Sequence, residues 1–160
     1  MSFPTHVLFA TDGSDASMAA GALAARIARD RGAKLTVVHA YEIPPMSYIG
    51  APMLPLDVTP AILRGIRGRL DDAVATVRET MPTAEGVLQH GEACPAILQA
   101  AKNVGADLIV VGTHGHRGIA HAFLGSVAEK VVRLSPVPVL TVHPAPVADE
   151  ARAHPSESHA

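Results

Sequence analysis

The sequence predicts an α/β protein: a single-domain, Rossmann-like, doubly wound parallel sheet of five strands with helices on both faces. Three observations predict it. Short Val-, Leu- and Ile-rich runs without polar alternation read as strands buried on both faces of a parallel sheet. Helical patterns separate these runs, which gives βαβ units and, with right-handed crossovers, a doubly wound layout. The chain has 160 residues, 48% of them hydrophobic and 18% charged, which suits one domain of roughly 100–200 residues. With 3% aromatics and no Trp, Val, Leu, Ile and Ala must fill the core.

The first strand is His6–Ala10 (HVLFA). Ser14–Arg31 follows as an Ala-rich helix with Ala19, Leu23 and Ile27 at i, i+4 and i+8, and Gly32 stands where a C-cap glycine belongs. Lys34–Ala40 (KLTVVHA) is the second strand. Tyr41–Asp57 is a proline-rich loop, long enough to be functional. Thr59–Met81 carries Ile62, Ile66, Leu70, Val74 and Val77 on one helix face and ends before Pro82. Gly86–Gln89 is placed as the third strand mainly by its context. Pro95–Val104 opens with proline in the first helical turn and stops at Gly105. Asp107–Val111 (DLIVV) is the fourth strand, Ser126–Leu134 the last helix before Ser135-Pro136, and Val137–Val142 (VPVLTV) the fifth strand. Residues 1–143 thus form the domain, and Pro144–Ala160, rich in Pro, Ala, His and acids without periodicity, reads as a disordered tail.

Composition narrows the function classes. A formal net charge of −2 without a basic stripe gives nucleic-acid binding no support. No run approaches the ~20 apolar residues of a membrane span. The start, MSFPTHVLFATDGS, lacks the basic region of a signal peptide. The single Cys leaves no internal disulfide and fits a reducing cytoplasm, so a cytoplasmic protein is expected.

Ligands of such sheets bind outside the carboxyl ends of the strands, where the strand order reverses. Two strand ends carry chemistry: Ala10-Thr11-Asp12-Gly13-Ser14 and Gly112-Thr113-His114-Gly115. The second continues through nine residues to Gly125-Ser126, where a helix begins. Glycines at 112 and 115 permit a tight turn and close ligand approach. A helix opening at Gly125-Ser126 points free N–H groups and its positive dipole end at an anion, which favours phosphate. The residues alone support another reading equally well: Ser126-Val127-Ala128-Glu129 matches a capping box, which needs no ligand. The P-loop pattern, G-x-G-x-x-G and the hydrolase G-x-S-x-G are all absent here.

With those residues in view, the sequence resembles the universal stress protein family, in particular its ATP-binding branch, which is marked by G-x2-G-x9-G-[ST]. Gly112, Gly115, Gly125 and Ser126 match that spacing. HVLFATDGSDAS, LTVVHAYE, ADLIVVGTHG and LGSVAEKVVRLSPVPVLTV resemble the family's ordered segments, leaving only the middle loop and the tail outside. The resemblance implies a sheet ordered 3-2-1-4-5 and an ATP-binding regulatory protein of the stress response. It implies that Asp12 faces the ribose or adenine end, with Ala10 and Thr11 lining the pocket and Ala40 against adenine. Gly112, Thr113, His114, Gly115, Gly125, Ser126 and Val127 would surround ribose and phosphates. Many relatives carry proline in place of Ala10 and a larger aliphatic in place of Ala40. The family usually dimerises by pairing its last strands, here Val137–Val142; no further protein partner is named by the sequence.

Other candidates are weighed against this. Asp12 also fits an ordinary acid near a helix start. His114, His116 and His121 lack a cysteine or carboxylate partner, so phosphate contact or solvent exposure suits them better than zinc. Any metal is Mg²⁺ carried in by ATP phosphates and waters. Arg117 could pair with a phosphate. Cys94, before Pro95 at a helix start, is expected to have its pKa lowered by the dipole, with redox sensing or simple packing as its role. No lysine and no base stand near the glycine turn, so no catalytic residue is assigned and little or no turnover is expected. The alternatives are a slow ATPase using His114 or Asp12 to place water, and a nucleotide-free dimeric interaction module; the intact glycine spacing argues against the latter.

Overall fold

The computed structural model describes residues 3–43, 59–113 and 124–143. The elements run β1 (His6–Ala10), α1 (Asp15–Arg31), β2 (Lys34–Tyr41), α2 (Thr59–Arg78), β3 (Glu85–His90), α3 (Ala93–Val104), β4 (Leu108–Gly112), α4 (Ser126–Leu134) and β5 (Val139–Val142). All four strand pairings are parallel, and the order is β3-β2-β1-β4-β5. The chain therefore builds outward from β1 to β3, then returns to lay β4 and β5 on the other side. The reversal lies between β1 and β4, as the expected order requires.

The central strands are apolar on both faces because each face has its own helix layer. Val7, Phe9, Leu35, Val37 and Val110 pack against alanines of α1 and against Leu70, Ala73, Val74 and Val77 of α2. Leu8, Ala10, Val38, Ile109 and Val111 pack against Cys94, Ile97, Ala100 and Ala101 of α3 and Ala128 and Val131 of α4. The small alanines let both layers lie close to the sheet. Each fully buried Val, Leu or Phe contributes roughly 1.5–3 kcal/mol relative to exposure, so the two layers supply the fold's main stabilisation.

Several boundaries move by a few residues. Ser14 is the N-cap of α1 rather than its first residue, and accepts from the Ser17 N–H. β3 is longer than its sequence signal, since its pairing with β2 carries Glu85 through His90. β5 begins at Val139 because Pro138 offers only its carbonyl, which accepts from the Ile109 N–H at 3.0 Å. α2 ends at Arg78, with turns continuing to Ala84 through Met81. The tail from Pro144 and the segment from Pro44 to Val58 lie outside the described residues.

Candidate functional site

β1 and β4 end side by side, with Ala10 level with Val111, so the two loaded turns leave the sheet together at the reversal point. The β1 turn is held by a chain of hydrogen bonds whose proton directions can be worked out. The Ser17 hydroxyl lies 2.8 Å from the Ser14 carbonyl, which can only accept, so Ser17 donates there. The Thr11 hydroxyl, 2.8 Å from Ser17 Oγ, must then donate to Ser17, and it accepts the Gly13 N–H at 3.0 Å. Ser14 donates both its N–H (2.9 Å) and its hydroxyl (2.5 Å) to Asp12 Oδ1. Two donors on one oxygen set the plane of the half-buried Asp12 carboxylate. Behind it, His39 Nδ1 lies 2.9 Å from the Thr11 carbonyl, so that nitrogen carries the proton. Buried His39 thereby ties β2 to the site.

Gly13 takes φ +79°, and a Cβ there would meet the Cβ, Cγ and Cδ of Arg69 at 3.4–3.7 Å. The stem of Arg69 from α2 thus lies across the turn that carries Asp12. Among the described residues Arg69 makes no ion pair or hydrogen bond. Nothing in the sequence pattern signals this cation, because α2 is far from the turn along the chain.

The β4 side is assembled around Thr113, which is buried. Its N–H donates to the Val142 carbonyl at 3.0 Å, its hydroxyl pairs with His143 Nδ1 at 2.8 Å, and its carbonyl accepts the Gly125 N–H at 2.8 Å. That last bond pins the start of α4 to the end of β4. A Cβ on Gly125 would stand 2.8 Å from the same carbonyl oxygen, so the close approach demands glycine. Gly125, not Ser126, is the N-cap of α4, and no side-chain cap bond is made. The capping box expected from Ser126 and Glu129 is therefore absent: Ser126 is already helical, and the Glu129 N–H closes on the Gly125 carbonyl at 2.9 Å. The N–H groups of Ser126, Val127 and Ala128 make no hydrogen bond among the described residues, as first-turn donors do until a ligand, side chain or water meets them.

Of the site residues expected from the sequence, Ala10, Thr11, Asp12, Gly112, Thr113, Gly125, Ser126 and Val127 gather at these two turns. Ala40 lies near the end of β2 on the face covered by α3 and α4. His114, Gly115, His116, Arg117 and His121 lie outside the described residues. Among the described residues, no group of three or more His, Cys, Asp or Glu could hold a metal ion. Cys94 departs from the lowered pKa expected at a helix start, because burial pushes its thiol up; it is buried in the core layer beneath α3 and α4, the simple packing role.

Residues 4–143 match the model of the Universal stress protein family. The chain belongs to that family. A Thermus aquaticus universal stress protein is 40% identical over 141 residues, covering 85% of this chain and 96% of the relative. Among solved structures, a universal stress protein in complex with cAMP is 32% identical with a TM-score of 0.64, covering 87% of this chain and 96% of the other. The Archaeoglobus fulgidus universal stress protein in complex with dAMP is 26% identical with a TM-score of 0.59, covering 88% and 98%. No helix among the described residues is long and apolar enough to cross a membrane.

Proposed function

We propose that this universal stress protein binds ATP, with Mg²⁺ accompanying the phosphates, and acts as a regulatory binder with little or no turnover. The observation that carries this reading is the start of α4. Its first-turn donors make no hydrogen bond among the described residues, while Gly125 pins them beside the acidic β1 turn. Helix-start N–H groups favour phosphate. The Asp12 carboxylate repels it, which sorts a nucleotide along the crevice with phosphates at Ser126 and Val127 and ribose hydroxyls at Asp12. Two relatives hold adenine nucleotides, cAMP and dAMP, and that chemistry fits the same two ends.

Phosphoryl transfer needs concentrated positive charge on the moving group and a positioned base. Lys130, in the second turn of α4, pairs with Glu92 at 3.1 Å on the surface, and Arg69 lies at the opposite, Asp12 side. Among the described residues no free cation stands at the phosphate end, which supports binding without rapid hydrolysis. We also propose that two copies associate through the outer edge of β5, which is unpaired among the described residues.

The test is to denature purified protein, analyse the released nucleotide by HPLC, and titrate nucleotide-free protein with ATP by calorimetry. Co-purified ATP and saturable binding support the reading, and ADP accumulating in place of ATP points to slow hydrolysis. An empty protein with no heat of ATP binding overturns it.

A further inference from the structure

We infer that Gln89 reads the base of the bound nucleotide and gives the site its preference for adenine. The inference rests on the nucleotide-binding reading above and adds the residue that recognises the base.

If phosphates occupy the start of α4 and ribose lies at Asp12, the base extends along the top of the sheet toward β2 and β3. On the face covered by α3 and α4 this surface is built from Ala10 and Ala40. Gln89 of β3 is the register partner of Ala40. Strand alternation gives it the same face: a Cβ on Gly86 would touch Val74 and Leu70 of α2 and Leu88 packs in the α1/α2 layer, so Val87 and Gln89 face the other way. Neighbouring strands lie about 4.8 Å apart, so a flat ring resting on the Ala40 methyl has the Gln89 carboxamide at its edge. A larger side chain at position 40 would stand between them.

Gln89 is half-buried, and among the described residues its carboxamide makes no hydrogen bond. The carboxamide still reaches water, and a bound base would exchange that water for a paired edge. Its backbone is well held: the Gly91 N–H donates to the Tyr41 carbonyl at 2.9 Å, and the Tyr41 and His90 rings meet edge-on at 5.3 Å. Those contacts hold the ends of β2 and β3 together and with them the backbone on either side of Gln89. A carboxamide offers adenine a matched pair, its oxygen accepting from the N6 amino group and its N–H donating to an adjacent ring nitrogen.

The test compares ATP with its deamino analogue, purine riboside triphosphate, in which hydrogen replaces the N6 amino group, using calorimetry on the full chain. The wild type should bind ATP roughly tenfold more tightly than the analogue, the discrimination of one paired base edge. Gln89→Leu, and the unbranched Gln89→Met as a second variant, should bind the two nucleotides about equally, with ATP losing more affinity than the analogue, which loses only the ring-nitrogen bond. A merely structural role for Gln89 would weaken both nucleotides alike and leave the ratio standing, which overturns the inference. So does a wild type that binds ATP and the analogue equally. A wild type that binds neither removes the nucleotide reading itself, and this inference with it.

Discussion

Asp107 opens β4 at the foot of the sheet, where burial alone would push its carboxyl up. The His6 N–H at 2.9 Å, the Thr5 N–H at 2.8 and 3.0 Å and the Thr5 hydroxyl at 2.8 Å outweigh that cost and hold it below the usual carboxylate range. Because the folded value lies below the unfolded one, the stabilisation is complete above about pH 4 and is lost as pH falls through the folded value. These bonds join β1 to β4 beneath the candidate site and are partly open to water. Asp107→Ala should therefore cost about 1 kcal/mol in urea unfolding at pH 7, with the penalty shrinking below pH 4. Beside it, burial and then the Lys34 charge depress the His6 imidazole from its ordinary value, and His6 Nε2 meets the Thr36 hydroxyl at 2.9 Å. A depressed histidine stabilises fully above about pH 6.5 and progressively less as pH drops. The wild type should lose stability between about pH 7 and 5, and His6→Gln should show a flatter profile in the same denaturation series. An unchanged slope would remove His6 from this account. None of this was legible in the sequence, where His6 and Asp107 read only as strand ends.

At the start of α4 the one-residue difference between Gly125 and Ser126 as the N-cap decides what each does. A capping serine costs about 1 kcal/mol when replaced by alanine. Ser126 makes no cap bond, so Ser126→Ala should leave urea unfolding within about 0.5 kcal/mol of wild type while weakening ATP binding. Gly125→Ala should do both: its Cβ would collide with the Thr113 carbonyl at 2.8 Å, costing about 1–3 kcal/mol as an overpacked contact and displacing the phosphate donors. Equal stability losses in the two variants would restore the capping box. The sequence showed that a helix begins here, because glycine followed by a polar residue punctuates an apolar pattern. It could not show which residue caps, because that is decided by Thr113, a partner twelve residues earlier across a turn. The same limit explains Cys94. Its place at a helix start was readable, but its burial among Leu8, Val38 and Ile97 depends on the sheet beneath.

Across the whole molecule, the doubly wound parallel layout was legible because alternation and crossover handedness constrain it, and the strand order followed from the family resemblance, whereas pairings between distant elements were not legible. Arg69 over Gly13 and Gln89 beside Ala40 share no sequence period that links them. The outer edge of β5, unpaired among the described residues, belongs to this largest scale. Val139, Leu140, Thr141 and Val142 are all half-buried, and Val132 and Leu134 on the adjoining α4 are 46% and 57% exposed, more apolar surface than a solvent-facing edge needs. The carbonyls of Pro138 and Val142 face β4, accepting from Ile109 and Thr113 at 3.0 Å. By alternation the backbone groups of Val139 and Thr141 point away from the sheet. Edge pairing with a second copy across a two-fold axis would satisfy those outward groups. Thr141→Pro removes one outward N–H while leaving the β4 ladder whole, and proline is tolerated at such an edge position. If the dimer forms through this strand, sedimentation velocity should show wild-type dimers and Thr141→Pro monomers, both retaining ATP binding because the candidate site lies at the strand ends. A variant that still sediments as a dimer would place the interface elsewhere, and a monomeric wild type would remove the dimer altogether.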